Sequence, residues 1–469
     1  MNFETIDSLV LSMKDELIAD LKRWIAIPSV QGPACENAPF GAENRKMLDL
    51  ALADAAKYGF DVRNFDGYAG DISYGSGEQT MGMLCHLDVV PAGDGWTHDP
   101  WGAEIADGKV YGRGTIDDKG PALCALYAMR AVKDSGVPLK DGVRLILGCD
   151  EETGMSDMRY YASKVKMPDY GFSPDAEFPV INIEKGGLSL SISAYTGGEG
   201  ECDLPVYSLY AGIRRNVVPG IAKAELGVKD LPAFRAAVEK VAAARNFKLT
   251  VEESDGKVTL VAEGVSAHAS MPHLGVNAAG MLLIALKDLG AGGNSRAAIA
   301  ALADKLGLEY DGASIGIRQA DELSGPLTCN LGILRYDGMN LVAQLDIRYP
   351  LCADAKDMCG SVALALSGDK LAVTCLGNHA PHHVPADHKI VRGLLKVYHE
   401  VTGLDAYAFA IGGGTYSRMM PNTVAFGLNF PGDTDTCHMP DEYIDIEKML
   451  TSVKIFAHAI ATLAGGEIE

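Results

Sequence analysis

A chain of 469 residues, 48% hydrophobic and 22% charged, has the balance of an ordinary globular protein, with apolar material for two or three domain cores. Acidic residues outnumber basic ones by 62 to 41, and the resulting formal charge of −21 repels nucleic acid and anionic membrane, so neither is an expected partner. The ten cysteines form no CxxC pair, no run reaches the about 20 apolar residues that span a bilayer, and residues 1–21 lack the basic start and continuous apolar stretch of a signal peptide; a cytoplasmic protein with reduced thiols is expected.

Apolar spacing predicts a first helix over residues 6–27 and a second over 42–57. Short β patterns follow at 60–63 and 81–90, then a glycine-rich turn, a helix over 121–133, a buried strand over 143–147 and a helix over 157–164. This alternation suggests a sheet covered by helices. From about residue 186 the character changes. Strand patterns at 188–195, 248–251, 258–262 and 342–347 mix with helical ones at 231–244, 278–289 and 297–306. Helices over 390–401 and 444–463 then resemble the opening segment again, so the simplest arrangement is one domain interrupted by another.

Five clusters of metal-ligating residue types stand beside these elements. In Cys85-His86-Leu87-Asp88 a period of two puts His86 and Asp88 on one face. A metal-bound imidazole needs its other ring nitrogen held, commonly by a carboxylate, and Asp88 is placed to do this. Alone, the pair is better described as a satisfied surface His–Asp contact. Asp117 and Asp118 precede a helix, where a cap explains one of them and an ion pair with Lys119 is the plain alternative; two are better explained if one faces a cation. Asp150, Glu151 and Glu152 follow a buried strand and repel one another unless solvated or bound to metal. Ser173-Pro174-Asp175 also reads as a turn and Cys437-His438 as a loop, with Cys85 and Cys437 as buried filler. Together, two histidines and several carboxylates suit zinc, manganese or cobalt better than copper or iron–sulfur.

The runs His86-Leu87-Asp88-Val89-Val90-Pro91, Gly95-Trp96-Thr97-His98-Asp99-Pro100-Trp101, Gly112-Arg113-Gly114, Asp117-Asp118-Lys119-Gly120, Glu151-Glu152-Thr153 and Ser173-Pro174-Asp175-Ala176-Glu177 resemble the aminoacylase/carboxypeptidase/dipeptidase family of co-catalytic metallopeptidases. Within it the chain is most similar to the bacterial PepV-like (carnosinase-like, Xaa-His) dipeptidases, over essentially its whole length. The resemblance implies an α/β fold: a mixed-sheet zinc-peptidase catalytic domain over 1–185 and 384–469, interrupted by an inserted α+β lid domain over 186–383. It also implies two divalent metal ions, Zn2+ first and Mn2+ or Co2+ as alternatives. Asp117 would bridge them, His86 and Asp175 would complete one site, and Glu152 and His438 the other. Glu151 would be the general acid/base, Asp88 the support of His86, and Asp117–Asp118 a cis peptide. Trp101 stands where a phenylalanine is usual and His98 where many relatives carry another polar residue; neither belongs to the cage.

In the insertion, His268 resembles the family's lid histidine, Arg348 the arginine that holds a peptide's terminal carboxylate, and Asn216 a substrate-contacting asparagine. Without the resemblance these read as a surface or core histidine, a strand-edge salt bridge and a turn residue. The loop containing Gly413 and Gly414 lacks both the G-K-[ST] of a P-loop and the G-x-G-x-x-G spacing of a dinucleotide fold, and resembles a backbone approach to substrate. His379, His382, His383 and His388 read as a solvated hinge. The implied function is hydrolysis of dipeptides with a free C-terminal carboxylate. Deacylation of N-acyl amino acids by the same metals is the alternative, and a non-catalytic binder is a third reading that leaves Glu151 without a purpose. The long insertion resembles the monomeric branch, so a small peptide is the expected partner.

Overall fold

The structure, a computed structural model, describes residues 3–466. Their contacts form two units. The first runs through Ile183 and resumes over His383–Phe409 and from Gly414; the second comprises Glu184–His382 and Ala410–Gly413. Among the described residues no helix is long and apolar enough to cross a membrane.

The first unit is built on a mixed sheet whose strands lie in the order Asp61–Phe65, Ala69–Tyr74, Gly142–Gly148, Thr80–His86, Tyr170–Ser173, Thr423–Ala425 and Val180–Glu184. Thr80–His86 is parallel to both neighbours, while Ala69–Tyr74 pairs antiparallel on both sides. In Gly142–Gly148, Val143, Leu145 and Leu147 enter one apolar cluster and Ile146 another; Met81, Met83 and Cys85 part from Leu84 in the same way. Both faces are covered, which is why these strands read as apolar runs rather than alternating patterns. Parallel neighbours need a crossover, and the almost wholly buried helix Lys119–Ser135 supplies it, packed against Phe3–Ser12, Lys14–Ile25 and Ile446–Ala464. A left-handed Gly136 stops that helix. His86 ends its strand, Cys149 to Glu152 follow the end of the next and Asp175 follows Ser173, so the chemistry-bearing residues gather at the carboxyl ends of parallel strands, the usual ligand side of an open α/β sheet.

Two differences from the sequence expectation stand out here. The first helix is two, Phe3–Ser12 and Lys14–Ile25, because the Met13 amide splits its bond between the Leu9 and Val10 carbonyls, each at 3.2 Å. The strand Ala69–Tyr74 has no counterpart in the expected elements: its centre is Asp71, fully buried and bound by Arg63 from the neighbouring strand through Nε at 2.9 Å and Nη2 at 2.5 Å.

The second unit holds an antiparallel sheet in the order Lys248–Ser254, Lys257–Glu263, Ile221–Leu226, Val206–Ala211, Thr328–Tyr336, Asn340–Tyr349, Gly186–Tyr195 and Ala372–His379. Leu188, Leu190 and Ile192 point into its core while the intervening serines stay partly exposed, the alternation of a sheet packed on one face. Helices Leu231–Arg245, Ala278–Asp288 and Ala355–Leu366 pack on that face, each started by an Asp or Asn side chain (Asp230, Asn277, Asp354) that accepts first-turn amides.

Candidate metal centre

Six of the residues singled out by sequence converge within the first unit. The buried His86 Nε2 lies 2.9 Å from Asp117 Oδ1 and 3.6 Å from Asp175 Oδ2. His438 Nε2 lies 2.9 Å from the other Asp117 oxygen and 3.0 Å from Glu152 Oε1. The ligand-type atoms of His86, Glu151 and Asp175 come within 4.8 Å of one another, as do those of Asp117, Glu152 and His438. Asp117 thus turns one oxygen to each half. The Asp117–Asp118 peptide is cis.

The electrostatics of this cluster fit divalent cations. Burial pushes the carboxyls of Glu151 and Glu152 up, and that of Asp175 up to about 6. Burial works against a charged imidazole as well, yet Asp175 and Asp117 hold His86 well above its ordinary value, and Asp117 and Glu152 raise His438 to about 11. Asp117 is driven below the usual carboxylate range by the two histidines despite its burial. These opposed shifts mark a surplus of buried negative charge among four crowded carboxyls, which a cation would offset. His86 Nε2 nevertheless has no hydrogen-bond partner among the described residues, although carboxylates lie beside it. A ring nitrogen aimed among carboxylate oxygens without hydrogen-bond alignment suits a shared cation, and the N/O donors suit zinc, manganese or cobalt.

Buried carboxylates also hold the loops that carry these groups. The His86 ring is fixed by the Asp88 backbone carbonyl, 2.9 Å from Nδ1, with Asp88 Oδ1 farther away at 3.4 Å. The Asp88 side chain instead accepts the Glu151 and Glu152 amides at 3.2 and 3.1 Å. Two-residue alternation places Asp88 beside His86, as found, but does not foresee the bonds to the two amides, because the strand ends at His86 and Asp88 has left the pleat. Asp118 accepts the His86 amide at 2.9 Å. Lys119 is no ion-pair partner of these aspartates: its buried ammonium donates to the Ile27 and Trp24 carbonyls at 2.6 and 3.2 Å, and burial lowers it to about 7.

Glu442, four residues beyond His438, carries no expectation from sequence. It is fully buried, accepts the amides of Gly114, Ile116 and Asp117 at 3.0, 3.0 and 3.3 Å, and is bound by Arg113 Nη1 at 2.5 Å. It fixes the loop that delivers Asp117. Glu442→Ala leaves the Arg113 charge buried and unpaired, and is expected to lower stability by about 3–5 kcal/mol in chemical denaturation. Glu442→Gln, which keeps an acceptor, is expected to cost less.

The second unit gathers the other candidates at one end of its sheet. The buried Asn330 donates to the Arg215 and Val217 carbonyls at 2.9 and 3.1 Å, and so fixes Asn216 between them. The Asn216 carbonyl in turn accepts the Ala269 amide, beside the exposed His268, whose Nδ1 is 2.7 Å from Ser270 Oγ. Thr328 bonds the Ala269 carbonyl and pairs across strands with Arg348. The Arg348 guanidinium binds Asp346 through Nε and Nη2 at 2.6 and 3.1 Å, and the Gly412 carbonyl through Nη1 at 3.1 Å. Asn330 escaped sequence reading because an asparagine in an unrecognised strand carries no signal of its own. Gly413 falls in the second unit and Gly414 in the first.

An α/β sheet beside whose strand ends two histidines and four carboxylates converge, His438 on the exposed side and His86 on the buried one, defines a metallohydrolase type of site. Residues 82–462 match the model of peptidase family M20/M25/M40. The chain is 37% identical to the putative dipeptidase YtjP of Bacillus subtilis (strain 168), over 97% of its own length and 98% of that protein's. It is 35% identical to the Beta-Ala-Xaa dipeptidase of Lactobacillus delbrueckii subsp. lactis, over 100% and 99%. The solved structure of human carnosine dipeptidase 1 shares the fold, with a TM-score of 0.61 at 15% identity over 99% of both chains. The chain belongs to peptidase family M20/M25/M40 and is a metallopeptidase, a membership that implies divalent metal ions.

Proposed function

We propose that the protein hydrolyses dipeptides with a free C-terminal carboxylate, using two divalent ions, zinc in the first place, held by His86 and Asp175, by Glu152 and His438, and by Asp117 between them. The observation that carries this reading is the division of the Asp117 carboxylate, one oxygen 2.9 Å from each histidine, with the Glu151 carboxyl in the His86 group. Bound ions would polarise the scissile carbonyl and lower the pKa of the attacking water. Glu151 takes the proton from that water on a carboxylate oxygen and passes it to the leaving amine. Asp88 keeps Glu151 and Glu152 in place through their amides.

The inserted unit acts as the lid and binds the substrate's ends. His268 donates to the developing oxyanion, Asn216 contacts the substrate, and the backbone at Gly413 and Gly414 approaches it. Arg348 takes the terminal carboxylate. Three of its five N–H groups are engaged, which leaves one on each terminal nitrogen, a pair that matches the two oxygens of a carboxylate. The full-length likeness to a Beta-Ala-Xaa dipeptidase supports a dipeptide substrate. The protein acts in the cytoplasm as a monomer.

Deacylation of N-acyl amino acids would use the same ions and the same base. Metal-reconstituted protein assayed on Ala-Xaa and β-Ala-Xaa peptides and on N-acetyl-Xaa separates the two. Turnover of the peptides and none of the acetylated amino acid is expected; the opposite pattern would replace dipeptidase by deacylase.

A further inference from the structure

A proton-transferring glutamate has to be held in one place, and two buried side chains outside every recognised motif hold the turn on which Glu151 stands. Four successive backbone amides follow the end of the strand Gly142–Gly148, and two carboxylates take all four. Asp157 Oδ2 accepts those of Cys149 and Asp150 at 2.6 and 2.9 Å, and Asp88 accepts those of Glu151 and Glu152. Asp157 is itself fixed twice: its Oδ1 accepts the Met158 amide at 2.6 Å, and the Tyr416 hydroxyl donates to the same Oδ2 that carries Cys149 and Asp150. Tyr416 is fully buried, and its ring stands at 87° to that of His86 with centroids 6.1 Å apart. The space is cleared by a missing side chain: a Cβ on Gly148 would overlap both the Tyr416 hydroxyl and the Asp157 carboxylate.

We propose that Tyr416, acting through Asp157, is a positioning residue for Glu151: its hydroxyl sets the Asp157 carboxylate that anchors the first two amides of the turn, and so sets the direction in which the Glu151 side chain leaves the strand. The inference rests on the reading of Glu151 as the acid/base. A carboxylate oxygen with three donors is held more tightly than one with two, and a displacement of about 1 Å at a proton-transferring group is enough to cost up to ~100-fold in rate. Tyr416 and Asp157 touch neither water nor substrate in this scheme; they act by placement.

The test is amide hydrogen exchange over residues 149–152 in metal-free wild type and Tyr416→Phe, together with metal content, Tm and steady-state kinetics on Ala-Xaa for the loaded proteins. Expected for Tyr416→Phe is exchange faster by about tenfold at Cys149 and Asp150, the loss of one hydrogen bond. kcat should fall by about tenfold, with KM and metal content unchanged. Gly148→Ala, which wedges the same contact apart, should give the same pattern, and it stands in if Tyr416→Phe does not fold. A lower Tm with unchanged exchange and unchanged kcat would reduce Tyr416 to a packing residue and overturn the proposal, as would loss of metal. Wild type inactive on dipeptides would sink the proposed function but not the exchange result, so the two failures are distinguishable.

Discussion

Glu151→Ala is expected to retain both metal equivalents and to lose turnover, with kcat on an Ala-Xaa peptide reduced by about 10³–10⁴-fold, the upper range for a general acid–base group. The expectation follows from two features of its setting. Glu151 lies with His86 and Asp175 but outside the group formed around Asp117, Glu152 and His438, so the cage keeps two histidines and three carboxylates without it. Its amide is fixed by Asp88, so the alanine variant retains the turn that presents Glu152. Glu151→Gln is the sharper companion, since it keeps size and one acceptor and removes only the proton-accepting charge; it should be nearly as inactive. Elemental analysis and steady-state kinetics on the same samples decide the matter. Unchanged turnover would remove the acid/base assignment, and loss of one metal equivalent would make Glu151 a ligand. A protein that only binds peptide or metal would be indifferent to both substitutions, which is why this residue separates an enzyme from a binder.

Local patterning shows the fold best where burial is simple. The helix expected at 42–57 is Ala42–Lys57, and the buried strand expected at 143–147 is Gly142–Gly148, longer only by a glycine at each end. Both are bounded by residues that stop their period. Strands that depend on a partner for their polar groups are not legible in this way. Ala69–Tyr74 carries Asp71 at its centre, which is tolerable because Arg63 reaches it across the pair and the Tyr161 hydroxyl donates to it. Thr328–Tyr336 likewise begins beside Asn330, whose amide is satisfied by carbonyls more than a hundred residues away. Pairing of that kind is a property of the tertiary fold.

The same distinction divides the site. Residues whose chemistry is unusual in a run, such as adjacent carboxylates or a histidine at a strand end, are visible in the sequence, and His86, Asp117, Glu151 and Glu152 are of this kind, whereas Asp175 and His438 read locally as turn and loop residues and stand out only through the family resemblance. The groups that hold them are not visible. Glu442, Asp157 and Tyr416 work by accepting or directing backbone hydrogen bonds, and no spacing rule marks a residue that serves amides brought to it by the fold. Asp88 shows the boundary between the two. Its placement beside His86 is local and legible, whereas its bonds to Glu151 and Glu152 join positions 63 and 64 residues apart in the chain.

Asp117→Ala is expected to strip both metal positions, whereas His438→Ala strips one. Asp117 Oδ1 faces His86 at 2.9 Å and Oδ2 faces His438 at 2.9 Å, so its removal takes one donor from each half of the cage. What remains is His86 with Asp175 on one side and His438 with Glu152 on the other, two donors each, where a catalytic zinc site ordinarily has three protein ligands. His438→Ala leaves His86, Asp175 and Asp117 together and should keep one equivalent. The expected metal content is therefore below one per chain for Asp117→Ala and about one for His438→Ala, against two for wild type, with kcat reduced by at least ~10³-fold in the aspartate variant. Thermal unfolding with and without added metal gives an independent reading, because an ion that binds only the folded chain raises its Tm. That rise should be largest in wild type, smaller in His438→Ala and absent in Asp117→Ala. If Asp117→Ala keeps two tightly held ions, the carboxylate does not bridge them. If His438→Ala loses both, the two positions fill only together, and the halves defined by the two histidines are a single site.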